Sequence, residues 1–199
     1  MKIYQIQNCP YAHRARIVLN EKAIPHEVVL YAPKSRPPEL DAVSADAKSP
    51  TLFDGNARVW ESMVAIEYLE DSHPQPALLP SSPEARAHTR ITMREIDSKL
   101  MPLMGAVSWE TVHKPVAERD DTLIQAAFDK FVDGLLPWNA RLADRTFLQG
   151  DAFTLADVLL FTPLFALHRD AARSAHLLDP HPHVRAWYGR MAARRSTAY

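Results

Sequence analysis

Four prolines, Pro74, Pro76, Pro80 and Pro83, fall in one short stretch among Ser, His and Gln residues. Proline fixes φ and has no amide hydrogen, so neither a helix nor a central strand continues through such a run. The stretch separates two kinds of sequence. Up to about residue 71, short β-like runs alternate with helical patterns, whereas beyond it long helical periodicities follow with almost no strand signal. The 199 residues are therefore read as two domains, 1–72 and 83–199, joined by a linker over 73–82.

In the first domain the pattern predicts a strand at about 2–6, a helix at about 10–22 and a strand at about 26–31 that carries Val28, Val29 and Leu30. A polar connection from Ala32 to Lys48 is expected to hold one short helix. A hairpin follows, with strands near Thr51–Phe53 and Arg58–Trp60 around the turn Asp54-Gly55-Asn56, and then a helix beginning near Met63. The order βαβαββα is that of an α/β thioredoxin-like domain. The second domain reads as all-α, with helices at about 83–107, 116–143, 154–169 and 182–195. Thr154-Leu155-Ala156-Asp157 is a capping box, which makes Asp157 a helix cap rather than a catalytic acid. Pro163, inside the same helical pattern, predicts a kink.

Charge narrows the partners. With 23 Lys and Arg against 24 Asp and Glu the formal net charge is −1, which gives no general attraction to nucleic acid or to an acidic membrane surface. The opening residues are too short and polar a run for a secretory signal, and no apolar run is long enough to span a bilayer. Cys9 is the only cysteine, so no disulfide forms within the chain, and a reducing cytoplasm is the expected location.

Cys9 stands between a strand-like opening and a helical stretch, in Asn8-Cys9-Pro10-Tyr11-Ala12-His13-Arg14. Pro10 suits the first helical position, where a missing N–H costs nothing, and this puts Cys9 at or beside the N-cap. There the unpaired N–H groups and the positive end of the helix dipole favour a thiolate. His13 and Arg14, one turn on, add positive potential if their side chains turn back. The bland alternative for a lone cysteine is a small buried hydrophobe. Ala12 occupies the partner position of a C-x-x-C pair, so any redox cycle takes its second thiol from outside the chain.

A second cluster surrounds the hairpin. Ser49-Pro50 precedes a strand at the place where a cis X–Pro bond turns the backbone of Ser49 towards the site. Glu61-Ser62 ends the next strand and opens a helix, so Ser62 is expected as its N-cap. The same helix start is a receptor for a carboxylate, while Glu61 can face an ammonium group on the same ligand. With the Ser49 backbone pairing a peptide bond, the implied ligand is a small peptide with a thiol near Cys9.

Together these segments resemble the cytosolic glutathione transferase superfamily over essentially the whole chain. Ser49-Pro50-Thr51-Leu52 is similar to its cis-proline segment, Glu61-Ser62 with Ile66 and Tyr68-Leu69 to its γ-glutamyl-binding signature, and Gly150–Asp157 to its helix-capping motif. Cys9-Pro10-Tyr11-Ala12 looks like the cysteine-type classes, meaning omega, lambda and the glutathionyl-hydroquinone reductases. Ser49 stands where the family often has Val, and the chain lacks the extra segments of the longer hydroquinone reductases.

The resemblance implies glutathione as cosubstrate, with Cys9 as nucleophile forming a protein–glutathione mixed disulfide that a second glutathione resolves. It implies a glutathione site of Cys9, Lys48, Ser49, Pro50, Glu61 and Ser62, with Lys48 near the glycyl carboxylate. A small electrophilic or disulfide substrate would rest against Tyr11, Met101, Met104, Trp109 and His113, and the assembly would be a homodimer. The scattered histidines, among them His176, His181 and His183, support no metal site. Two other readings stand beside the thiol transferase or reductase: conventional glutathione conjugation or peroxide reduction, and a non-enzymatic binding or regulatory module on the same fold.

Overall fold

The computed structural model describes residues 1–43 and 48–199, with all their side chains except that of Ala172. Within them the chain divides into two compact units, Met1–Leu79 with Ala193–Tyr199, and Pro80–Ala192.

The first unit runs β1 (Lys2–Ile6), α1 (Pro10–Glu21), β2 (Glu27–Tyr31), α2 (Pro38–Asp41), β3 (Thr51–Asp54), β4 (Ala57–Trp60) and α3 (Ser62–Ser72). This is a thioredoxin-like domain. Part of the 32–48 connection, 44–47, lies outside the described residues. The strands form one sheet in the order β2-β1-β3-β4. β1 is parallel to β2 and antiparallel to β3, and β3 is antiparallel to β4. Gly55 turns the hairpin with φ of 52°, a left-handed conformation that costs glycine nothing. Ile3 and Leu52 from the sheet, Ile17 and Leu19 from α1, and Ile66 and Leu69 from α3 have no solvent exposure. Burying each such side chain contributes about 1.5–3 kcal/mol.

Two buried charges fasten the proline-rich stretch to this unit. Lys22 Nζ lies 2.7 Å from the Glu70 carboxylate and donates to the carbonyls of His73 and Pro76 at 2.7 and 2.8 Å. Glu70 in turn accepts the amides of Leu78 and Leu79 at 3.1 Å. Residues 73–79 are thus a bonded part of the first unit, where the sequence suggests a free linker.

The second unit is helical: α4 (Pro83–Lys99), α5 (Met101–Ser108), α6 (Asp121–Gly134), α7 (Leu136–Arg141), α8 (Leu155–His168), α9 (Ala171–Ser174) and α10 (Pro182–Ala192). The expected helix at 83–107 breaks at Leu100, because Pro102 has no amide for the turn below and its ring crowds that turn. The expected helix at 116–143 is also interrupted. Asp120 caps α6 by accepting from Thr122 and Leu123, and Pro137 restarts the chain as α7. Asp157 accepts from the amides of Leu148 and Thr154, the Thr154 hydroxyl and Trp187 Nε1, all within 3.0 Å, and so ties α8 to α10. That is the capping role read from the sequence.

The segment 193–199 belongs with the first unit, although the sequence pattern placed it in the helical domain. Its polar partners decide this. Arg194 donates to Glu21 at 2.7 and 2.8 Å, Asn20 to the Ser196 carbonyl at 3.1 Å and His13 to the Thr197 carbonyl at 2.9 Å.

Candidate active site

Strand register brings the expected site residues of the first unit to one end of the sheet. Tyr4 pairs with Thr51, and Thr51 with Trp60. The chain leaving β1 towards Cys9, the chain entering β3 through Ser49-Pro50, and the chain leaving β4 into Glu61-Ser62 therefore share an edge. Ile6 pairs with Tyr31, which puts the end of β2 there too.

Cys9 is the N-cap of α1, with extended φ and ψ of −70° and 117° and Pro10 following as the first helical residue. Asn8 before it has φ of 63°, a conformation Asn tolerates better than most residues. The turn is held at both ends by Ser49. The Ile6 amide donates to Ser49 Oγ at 3.0 Å, and the Cys9 thiol donates to the Ser49 carbonyl at 3.7 Å. Cys9 is half-buried and free of any disulfide. The Ser49–Pro50 bond is cis.

Ser62 differs from its expected role. The N-cap of α3 is Glu61, with φ of 66°, and Ser62 is the first residue inside the helix. Its hydroxyl is buried and accepts from Arg14 Nη1 at 3.2 Å. Arg14 has no solvent exposure, so a guanidinium lies beneath the start of α3, and its charge adds to the positive end of the helix dipole. An anion at that helix start meets both. Of the two cations one turn on, His13 donates to the Thr197 carbonyl and Arg14 reaches Ser62. Lys48 is exposed, and its carbonyl accepts from Thr51 Oγ1 at 2.8 Å. Tyr11 is 40% exposed, with the Arg14 guanidinium 5.2 Å from its ring centre.

Two family models match the chain: "Glutathione S-transferase, N-terminal domain" over residues 8–72 and "Glutathione S-transferase, C-terminal domain" over 121–190. The chain is 31% identical to glutathione S-transferase omega-2 of Mus musculus over 195 residues, covering 96% of this chain and 74% of that protein. The chain belongs to the glutathione S-transferase family. It is also 26% identical to the stringent starvation protein A homolog of Haemophilus ducreyi, over 84% of this chain and 75% of that one. Among solved structures, a theta class glutathione S-transferase from Xanthomonas axonopodis pv. citri with glutathione bound superposes with a TM-score of 0.85 at 25% identity, covering 98% of this chain and 94% of that chain.

In this family member the other expected residues lie in the second unit. Met101 and Met104 are each 2% exposed, and the Met104 sulfur accepts from the Ser108 hydroxyl at 3.3 Å. They are core side chains with almost no surface to offer a ligand. Trp109 and His113 are exposed, with ring centres 5.4 Å apart on a wide helical turn over Trp109–His113. Among the described residues no group of three or more His, Cys, Asp and Glu side chains is placed to hold a metal ion, and no helix is long and apolar enough to cross a membrane.

Sequence reasoning missed Gln5, Tyr31 and Tyr199. Burial first, then the charge of Cys9, raises the Tyr31 phenol above its ordinary range, against the opposing effect of Arg36. Tyr199 is raised in the same way by burial and then by Cys9, with Arg16 and the Asn8 and Cys9 amides opposing. Tyr31 was within reach of a register argument, as the β2 partner of the last residue of β1. Tyr199 is 190 positions from Cys9 in sequence, and no local pattern marks it.

Proposed function

We propose that the protein is a glutathione-dependent thiol transferase or reductase with Cys9 as its nucleophile. The observation that carries this reading is a half-buried thiol at the N-cap of α1, with its sulfur against the Ser49 carbonyl at the same sheet edge as the start of α3. Glutathione lies with its backbone along Ser49 and its γ-glutamyl carboxylate at the start of α3 over Arg14 and Ser62. Its ammonium faces Glu61, and Lys48 lies near its glycyl carboxylate. The second substrate is a small electrophile or disulfide.

The Cys9 thiolate attacks the glutathione sulfur of a glutathionylated substrate. The substrate's sulfur–sulfur bond breaks, and its thiolate leaves and takes a proton. A second glutathione, as thiolate, then attacks the Cys9–glutathione disulfide, releasing oxidised glutathione and restoring the Cys9 thiolate. Ala12, where a resolving cysteine would stand, leaves that second step to glutathione. We place the enzyme in a reducing cytoplasm, as a homodimer.

Incubation with oxidised glutathione and intact-mass measurement test this. One glutathione adduct is expected on the wild type and none on Cys9→Ser, and reduced glutathione should remove it. Binding of glutathione without an adduct would overturn the role of Cys9. The likeness to a theta class structure favours conjugation as the second reading, and in that case Cys9→Ser keeps its conjugating turnover.

A further inference from the structure

From Pro180 to Tyr199 the chain carries four arginines and no Asp or Glu. Arg185 meets Asp179 at 3.3 Å and Arg194 meets Glu21 at 2.7 Å, so those two charges are answered within the fold. Arg190 on α10 makes no ion pair among the described residues, and its Nη2 donates to the Thr146 carbonyl at 2.9 Å. That bond anchors the guanidinium beside the loop between α7 and α8 and leaves the rest of its N–H fork for another acceptor. A cavity of about 470 Å³, lined by second-unit residues, opens at this place. His183, Ala186 and Arg190 enter it from one face of α10, and Leu142, Asp144 and Arg145 from the end of α7 and the loop after it.

Asp144 is the one carboxylate of the lining. It meets Arg145 at 3.6 Å with side chains 82% and 43% exposed, a pair too weak in water to hold the guanidinium against a stronger acceptor. Asn139 Oδ1 accepts the amides of His183 and Val184 at 2.9 and 3.3 Å, so the start of α10 is capped and the cavity's free donors are side chains.

We infer that this cavity binds the phosphate monoester of a small organic molecule, with Arg145, Arg190 and His183 on the phosphate and Leu142 and Ala186 against the organic part. Guanidinium forks match phosphate oxygens, and three separate donor side chains call for three acceptor oxygens, which a phosphate has and a carboxylate lacks. Two arginines in one concavity, on a chain of formal net charge −1, serve a single phosphate rather than the row of phosphates in a nucleic acid. The volume falls in the range of small-molecule sites, about 300–1,000 Å³. This site goes beyond the glutathione chemistry proposed above and uses none of its residues.

Calorimetric titration of the full chain with phenyl phosphate at fixed ionic strength tests the assignment, with benzoate in parallel. The wild type is expected to bind phenyl phosphate at one site with a Kd below about 1 mM, and benzoate about tenfold more weakly. Arg190→Gln and Arg145→Gln should each weaken phenyl phosphate by about tenfold, the loss of a charge-assisted hydrogen bond. Thermal midpoints confirm that each variant is folded, and Arg145→Gln, which has no backbone bond to lose, keeps the test open if Arg190→Gln loosens the loop. Arg185→Gln, on the same helix and outside the cavity, should bind as the wild type does. An equal loss in Arg185→Gln would show diffuse charge attraction and overturn the site, as would the absence of saturable heat. Benzoate bound as tightly as phenyl phosphate would overturn the phosphate, and a phosphoserine peptide bound more tightly would overturn the small molecule in favour of a protein partner.

Discussion

Glu61 combines φ of 66° with ψ of 113°, a backbone conformation that non-glycine residues rarely adopt and that costs on the order of 1–3 kcal/mol. The strain sits where β4 turns into α3, beside the proposed glutathione site. Glu61→Gly should therefore hold or raise stability in denaturant titration while raising the KM for glutathione severalfold, because the ammonium partner is gone. A fall in both stability and affinity would mean that the side chain, not the backbone, holds the turn. Ser62→Ala tests the neighbouring position. It leaves a buried guanidinium donor without its hydroxyl and is expected to cost about 1–3 kcal/mol, with weaker glutathione binding.

Among the elements, those with their own chemical punctuation were legible in sequence. Pro10 starts α1, Gly55 turns the β3–β4 hairpin, and Thr154 with Asp157 opens α8, each a local rule satisfied locally. Ser62 was misplaced by one residue because either residue at that step can lead a helix, and only the positive φ of Glu61 decides it. The breaks at Leu100 and Asp120 were missed because apolar periodicity runs on across a proline or a cap. The Lys22–Glu70 pair was invisible for another reason: its partners are 48 positions apart, and nothing in either neighbourhood announces burial. Lys22→Met removes one member of that buried pair and is expected to cost about 3–5 kcal/mol in chemical denaturation. The contact of α1 with 193–199 carries its own pH dependence. Burial pushes the Glu21 carboxyl up, but hydrogen bonds from Arg194 and Ser196 and the Arg194 charge bring it below its ordinary 4.5. A depressed carboxyl stabilises the fold above its ordinary value and loses that contribution as pH falls through the folded value. At pH 6 the wild type should exceed Arg194→Met by about 1–2 kcal/mol, and the gap should close in acid. A gap unchanged at pH 3 would show that the arginine acts through packing alone.

At the scale of the whole molecule, the first unit is built from two separated stretches of chain, 1–79 and 193–199, with the entire second unit between them. Deleting 193–199 removes every bond to Glu21, Asn20 and His13 described above and leaves the helices of the second unit untouched. Amide exchange resolved by unit should then rise in α1 and β1 and stay unchanged in α8. Equal loss of protection in both would mean that the two units unfold as one. The same discontinuity orders events at the ribosome. Synthesis makes 1–79 first, then the whole helical unit and only then 193–199, so His13, Asn20 and Glu21 wait through all of it for their partners. A chain interrupted anywhere in the helical unit carries α1 without the segment that binds it. The first unit is closed only after the second has been translated.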